Sequence, residues 1–195
     1  GMGSVDVSDV GDTLAVTARY GDVHVRQIQG AVEIDTEYAE VVEISGVADT
    51  LALTASYADI HVSQIQGAVE IDAEYTNVVE VNGVANALAI TAHHGYVDVS
   101  QIQGAVEIES DYGPVKVRDF KDQVAVQTQY GDVTLYVPTG FGAVVELEMP
   151  YGSPQVEVPL SHVTEEDGRV TGTLGDGSRH IRVKTDGGQV RLLPE

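Results

Sequence analysis

The sequence predicts an all-β fold: a single-stranded β-helix (β-solenoid) wound in coils of 18–19 residues. Three observations carry this. The octet QIQGAVEI starts at Gln27, Gln64 and Gln101, 37 residues apart both times, and a fixed long period marks stacked structural units. A second series divides that period in two, because Tyr20, Tyr38, Tyr57, Tyr75, His94, Tyr112 and Tyr130 follow one another at intervals of 18 or 19. Ahead of each of these residues the chain alternates with period two, as in Leu14, Val16, Ala18 and Val32, Ile34, Thr36, which is strand periodicity.

Taken in order, the elements fit one domain over residues 1–195. Met2 to Val7 already follows the corner-and-strand pattern, so the sequence opens inside a coil. Residues 1–137 read as regular coils, each with a strand before the tyrosine and a shorter one after it (Val23, Val25, Ile28 in the first). The coils after Tyr38 and Tyr75 carry one extra residue near Val41-Val42 and Val78-Val79, read as a corner bulge. Residues 138–180 are an irregular coil and loop, with a polar stretch from Ser161 to Ser178 that reads as a long loop or hairpin. Residues 181–195 return to the pattern, with Gly187 in the tyrosine slot, and are expected to cap the stack. About nine coils at strand spacing give a rod roughly 40–45 Å long. No segment combines helical period with capping residues.

Composition removes several function classes. Lys plus Arg is 10 against Asp plus Glu 31, a formal charge of −21, which disfavours nucleic acid and anionic membrane surfaces and favours attraction of cations. The bias is local: from Gln27 to Val115 there are fifteen acids and no Lys or Arg, and half the basic residues lie between Arg169 and Arg191. With no cysteine there is neither a disulfide framework nor a thiolate metal site. No apolar run reaches membrane-span length. Gly1 ahead of Met2 reads as a cloning remnant, so any export signal is expected to lie outside this sequence.

If successive coils stack in register, outward residues form columns. Three positions before each corner stand Thr17, Asp35, Thr54, Asp72, Thr91, Glu109, Gln127 and Glu148. Five before stand Ala15, Glu33, Ala52, Glu70, Ala89, Glu107, Ala125 and Glu146. Acidic and neutral coils alternate over all eight, which doubles the separation of like charges. Immediately before the corner, Arg19 should pair with Glu37, and His93 should sit between Glu74 and Asp111, raising its pKa. The candidate cation ligands are therefore Glu33, Asp35, Glu70, Asp72, Glu74, His93, Glu107, Glu109 and Asp111, with Ca²⁺ the fitting ion because it takes several oxygens. The plainer reading is a solvated acidic face spaced against self-repulsion. His24 and His61 share a column two coils apart and read as solvated. The tyrosines have inward parity and are expected to stack at a corner, chiefly for stability.

Catalytic signatures are missing: there is no Gly-x-Ser-x-Gly elbow, no His-Glu-x-x-His and no phosphate loop. No catalytic residue and no resident cofactor are assigned. The carboxylates form a lattice rather than the unique pair a glycosidase uses, so a carbohydrate-active or carbohydrate-binding β-helix stands as an alternative.

The YGDV-type corners, LYVPTGFGAVVELEMPYGSPQVEV (135–158) and GTLGDGSRHIRVKTDGGQVRLL (172–193) resemble a bacterial adhesin-labelled family of unknown function that folds as a single-stranded β-helix. The resemblance covers nearly all of the chain. It implies a right-handed helix, no enzymatic activity, and a place in the cell envelope, extracellular or periplasmic, behind a signal peptide or anchor. The expected role is a structural or interaction module with an acidic β-sheet face, its partner a protein or glycan at the cell surface. Neither nucleic acid binding nor direct membrane insertion is expected. Self-assembly into a homo-oligomer through the solenoid ends is a further alternative, since exposed strand edges invite pairing.

Overall fold

A computed structural model describes residues 3–195 of the chain; Met2, assigned to the first corner, lies outside the described residues. In chain order the strands are β1 (Val5–Val10), β2 (Leu14–Ala18), β3 (Val23–Ile28), β4 (Val32–Glu37), β5 (Val41–Val47), β6 (Leu51–Ser56), β7 (Asp59–Ile65), β8 (Val69–Glu74), β9 (Val78–Val84), β10 (Leu88–His94), β11 (Tyr96–Ile102), β12 (Val106–Tyr112), β13 (Val115–Phe120), β14 (Val124–Tyr130), β15 (Val133–Val137), β16 (Ala143–Glu148), β17 (Gln155–Val156), β18 (Leu160–Glu166), β19 (Arg169–Leu174), β20 (Arg179–Gly187) and β21 (Val190–Pro194).

Two sheets result. The first has the order β1-β3-β5-β7-β9-β11-β13-β15-β21-β17, the second β18-β19-β16-β20-β14-β12-β10-β8-β6-β4-β2. Among the described residues, all ladders are parallel except those of β19 with β16 and with β18. The chain is thus an all-β, single-stranded solenoid of parallel coils, as its periodicity predicts. Inward residues stack between the sheets: Val16, Ile34, Leu53, Ile71, Ile90, Ile108 and Val126 from one, Val25, Ile44, Val62, Val81, Val99, Val117 and Leu135 from the other, all buried. Fully burying each such side chain contributes about 1.5–3 kcal/mol.

The octet's Gln-Ile-Gln records a break in parity. Gln27 has φ 55°, and Asp9, Gln64, Gln101 and Asp119 take the same left-handed conformation, as do Gly46 and Gly83 in the intervening coils. That residue drops out of the ladder, so Val25 and Ile28 both face inward with Arg26 and Gln27 outside. The Gly of the octet explains why the exact repeat spans two coils. A Cβ on Gly30, Gly67 or Gly104 would lie 2.5–2.6 Å from the backbone of Asp12-Thr13, Asp49-Thr50 or Asn86-Ala87. Those facing rungs instead carry a side-chain oxygen that accepts a hydrogen bond from the next backbone N–H, 2.8 Å for Asp12 and Asp49 and 2.9 Å for Asn86. Glycine rungs therefore alternate with Asp or Asn rungs.

The extra residue of the longer coils falls in the corner ahead of β5 and β9: β3 pairs with β5 through Val23 and Val42, and the unmatched Val41 N–H donates to Asp22 Oδ1 at 3.0 Å.

The C-terminal end departs from the expected order. Residues 181–195 do not close the stack. β20 lies between β14 and β16, and β21 between β15 and β17. The chain leaves β15, lays down β16 and β17 one rung away, makes the β18–β19 hairpin over 160–174, and returns to fill the gap. The polar 161–178 stretch is mostly that hairpin, and it forms the outer edge of the second sheet.

Candidate interaction surface

The outer face of the second sheet carries the acidic lattice in the register the columns require. Thr17 faces Asp35, Asp35 faces Thr54, Thr54 faces Asp72, Thr91 lies between Asp72 and Glu109, and Glu109 faces Gln127. The parallel column runs Ala15, Glu33, Ala52, Glu70, Ala89, Glu107, Ala125. Strand parity forces these residues outward, since Val32, Ile34 and their equivalents point into the core. Acidic rungs are therefore about 10 Å apart, two strand spacings.

The eighth rung corrects the predicted alternation. Glu146 and Glu148 do not adjoin Ala125 and Gln127, because β20 intervenes with Arg182 and Lys184 facing them. Arg182 Nε lies 3.0 Å from Glu146 Oε2, and Arg169 holds the other oxygen of the same carboxylate. The lattice thus ends in a mixed-charge seam. A shallow groove of about 490 Å³ lies there, lined by Glu107, Glu109, Glu148, Arg169, Arg182 and Lys184 among others. The sequence signal for it was the C-terminal clustering of basic residues; where β20 inserts is a matter of topology that periodicity does not carry.

The corner column places Arg19 Nε 3.5 Å from Glu37. His93 Nδ1 lies 2.7 Å from Asp111 Oδ2, while Gln129 donates to the other Asp111 oxygen at 2.7 Å. The Asp111 hydrogen bond raises the His93 pKa above its ordinary value, with Asp111, Glu74 and Asp72 adding favourable fields. On the first sheet, His24 and His61 belong to an alternating row that sequence columns missed. His24 faces Glu43, Glu43 faces His61, and His61 faces Glu80. Each imidazole Nδ1 is 3.2 Å from the following glutamate. Arg26 also donates to Glu43 at 2.8 Å, and these hydrogen bonds, Arg26 first and then His24, lower the Glu43 pKa. Only an alignment that absorbs the extra corner residue brings Glu43 and Glu80 into the histidine row. Farther along, Tyr96 Oη donates to Asp98 at 2.9 Å and Arg118 approaches the same oxygen at 3.3 Å. Burial, then the Asp98 hydrogen bond, push the Tyr96 phenol up to about 12.

The tyrosine column stacks as expected but does not point inward. Tyr20, Tyr38, Tyr57, Tyr75, His94, Tyr112 and Tyr130 form one continuous ladder with ring centroids 5.0–5.7 Å apart and interplanar angles of 12–19°. The six tyrosines are 48–59 % exposed. Inward parity ends two residues earlier, at Ala18, Thr36, Ala55, Ala73 and Ala92. At six of the seven corners the chain then turns in one of two ways. At Tyr38, Tyr57 and Tyr75 the tyrosine itself is left-handed and the next residue (Ala39, Ala58 or Thr76) is buried; at Tyr20, His94 and Tyr112 a following glycine takes the positive φ. Both turns lift the ring off the core.

A family profile described as Toastrack DUF4097 matches residues 42–193. The chain belongs to the Toastrack DUF4097 family. No curated protein and no solved structure gave a match. Outside the matched span, β1 to β4 keep the same register as the coils that follow.

The Toastrack coils hold the predicted cation ligands apart. Glu33 and Asp35, Glu70 and Asp72, and Glu107 and Glu109 sit on three different rungs with a neutral rung between each pair, while Glu74, His93 and Asp111 stand in the corner column. Among the described residues no three His, Asp or Glu side chains converge to hold a metal ion, and no helix is long and apolar enough to cross a membrane.

Proposed function

We propose that this Toastrack domain is a non-enzymatic structural and interaction module of the bacterial cell envelope, adhesin-like in that it presents a rigid acidic β-sheet face to a surface protein or glycan. One observation carries the reading: carboxylates repeat at a fixed spacing on a sheet whose inner face is a continuous aliphatic core. A sheet whose interior strands are paired on both edges holds its outward side chains preorganised, so docking onto it needs little rearrangement. The charge further favours partners with positive potential and disfavours anionic surfaces.

The test is binding of the labelled chain to bacterial envelope preparations and to a glycan array. The comparison is a variant carrying Glu33→Gln, Asp35→Asn, Glu70→Gln and Asp72→Asn. Retention that falls in the variant supports the acidic face; equal retention removes it.

The mixed-charge seam favours a second reading, carbohydrate binding. The groove beside β20 brings Glu107, Glu109 and Glu148 near Arg182 and Lys184, a set of donors and acceptors suited to sugar hydroxyls. Glycan binding lost on Arg182→Ala but kept in the lattice variant would assign it there. Assembly through the ends is a further alternative, which sedimentation showing no concentration dependence would dismiss.

A further inference from the structure

The tyrosine ladder has features that core stability alone does not require. Its rings stand about half exposed along one corner of the solenoid. Their faces are occupied by one another, so the ladder offers ring edges and a row of phenol oxygens. We propose that this corner is a docking strip for an extended, arginine- and lysine-rich polypeptide segment. The proposal rests on the interaction-module reading but uses the corner rather than the sheet face.

The argument is one of charge, geometry and entropy. Acids border the rings on both sides: Glu37, Glu74 and Asp111 immediately precede ladder residues, while Asp22, Glu40 and Asp59 follow two positions after Tyr20, Tyr38 and Tyr57. Glu37 already raises the Tyr38 phenol pKa, so a negative potential reaches the oxygen that would accept a hydrogen bond. Phenol oxygens and carboxylates both accept from N–H donors, and the diverging donors of a guanidinium can bridge neighbouring rungs. Stacking fixes the rings before any partner arrives, so little side-chain freedom remains to be lost on docking. Tyrosine and arginine are the side chains over-represented where binding energy concentrates. A sugar chain is less well served, because the ring faces that would stack on it are covered. Among the described residues, basic side chains interrupt this pattern at two places, where Arg19 pairs with Glu37 and His93 with Asp111.

The probe is an arginine nonapeptide titrated calorimetrically into the full chain in about 0.15 M salt, where charges beyond about 8 Å are largely screened. Saturable binding is expected. The double variant Tyr57→Ser, Tyr75→Ser should weaken it about tenfold or more, within the range of interface hot spots. The pair Tyr57→Phe, Tyr75→Phe keeps the stack and removes two acceptors, and a loss of roughly three- to fivefold is expected from missing hydrogen bonds; this pair decides the matter if circular dichroism shows the serine variant unfolded. Glu43→Gln with Glu80→Gln removes two charges on the first sheet, five residues past Tyr38 and Tyr75, and should change affinity by less than about twofold. Three results overturn the proposal: no saturable binding, tyrosine variants that bind like wild type, or a first-sheet variant as weak as the tyrosine variants. If the peptide instead responds only to Glu33→Gln and Glu70→Gln, the strip is wrong while the acidic-face reading stands.

Discussion

Gly67→Ala tests the account of the two-coil repeat at a single atom. A Cβ at this position would lie 2.5 Å from the carbonyl carbon of Asp49 and 2.6 Å from Asp49 O and Thr50 N. Contacts between carbon atoms are favourable near 3.5–4.0 Å, so the neighbouring rung must yield by roughly 1 Å. The obstructing atoms are backbone at the threshold of β6, fixed in the ladder to β4 and β8, and cannot rotate away as a side chain would. Overpacking of this kind destabilises by about 1–3 kcal/mol. For a chain of this size, each kcal/mol lowers the melting temperature by about 2–4 °C, so a drop of roughly 2–12 °C is expected by circular dichroism, with a matching fall in the urea midpoint. Gly11→Ala is the control: its Cβ meets nothing within 4 Å, and a change within about 0.5 kcal/mol is expected. A Gly67→Ala protein that melts with wild type, or no lower than the control, would refute the close approach as the reason for glycine in the octet.

Other perturbations probe the core, the lattice and the corner. Ile71 is 1 % exposed, so Ile71→Asp buries an unpaired carboxylate and should abolish the cooperative melt, a loss above about 4 kcal/mol; wild-type melting would overturn its inward assignment. Replacing Glu70, Asp72 and Glu74 with Gln, Asn and Gln should leave the melting temperature equal or higher at low salt, with the gain shrinking as salt rises. A loss of several degrees would reveal a stabilising network that the alternating lattice does not contain. His93→Gln should be less stable than wild type at pH 5–6. Because folding raises the His93 pKa, its contribution is complete below the ordinary histidine value of about 6.5 and fades as pH rises through the folded value. Both partners are substantially exposed, so the gap should be within about 1 kcal/mol; melting curves from pH 5 to 8.5 that show no such convergence would remove the pairing.

Much of this fold was legible because a solenoid writes its contacts along the chain. Neighbours in the stack are 18 or 19 residues apart, so aligning tyrosines also aligned Asp35 with Thr54 and His93 with Asp111. The failures fall where that rule lapses. Gln27 and its equivalents switch parity by one left-handed residue, which a count of two cannot show. The tyrosines share the parity of Ala18 and Thr36 but follow the point where the strand leaves the core, and only the turn decides which way the rings go. The His24, Glu43, His61, Glu80 row was hidden by the extra residue before Val42 and Val79. At the C-terminus, sequence order and spatial order part company, and Arg182 and Lys184 sit where a continuous stack would have put Glu146 and Glu148. Of the candidate surface, the acidic lattice was readable and the seam that ends it was not.

The return of β20 and β21 into an interior slot alters how the rod bears load. In a simple stack, tension on the C-terminal end strips the outermost rung, breaking one row of hydrogen bonds at a time. Here the final strands are clasped on both edges, β20 by β14 and β16, and β21 by β15 and β17. A pull on the last residue must therefore shear two ladders together before any rung comes free. The coil that holds β20 and β21 is then expected to resist extraction more than an edge coil would.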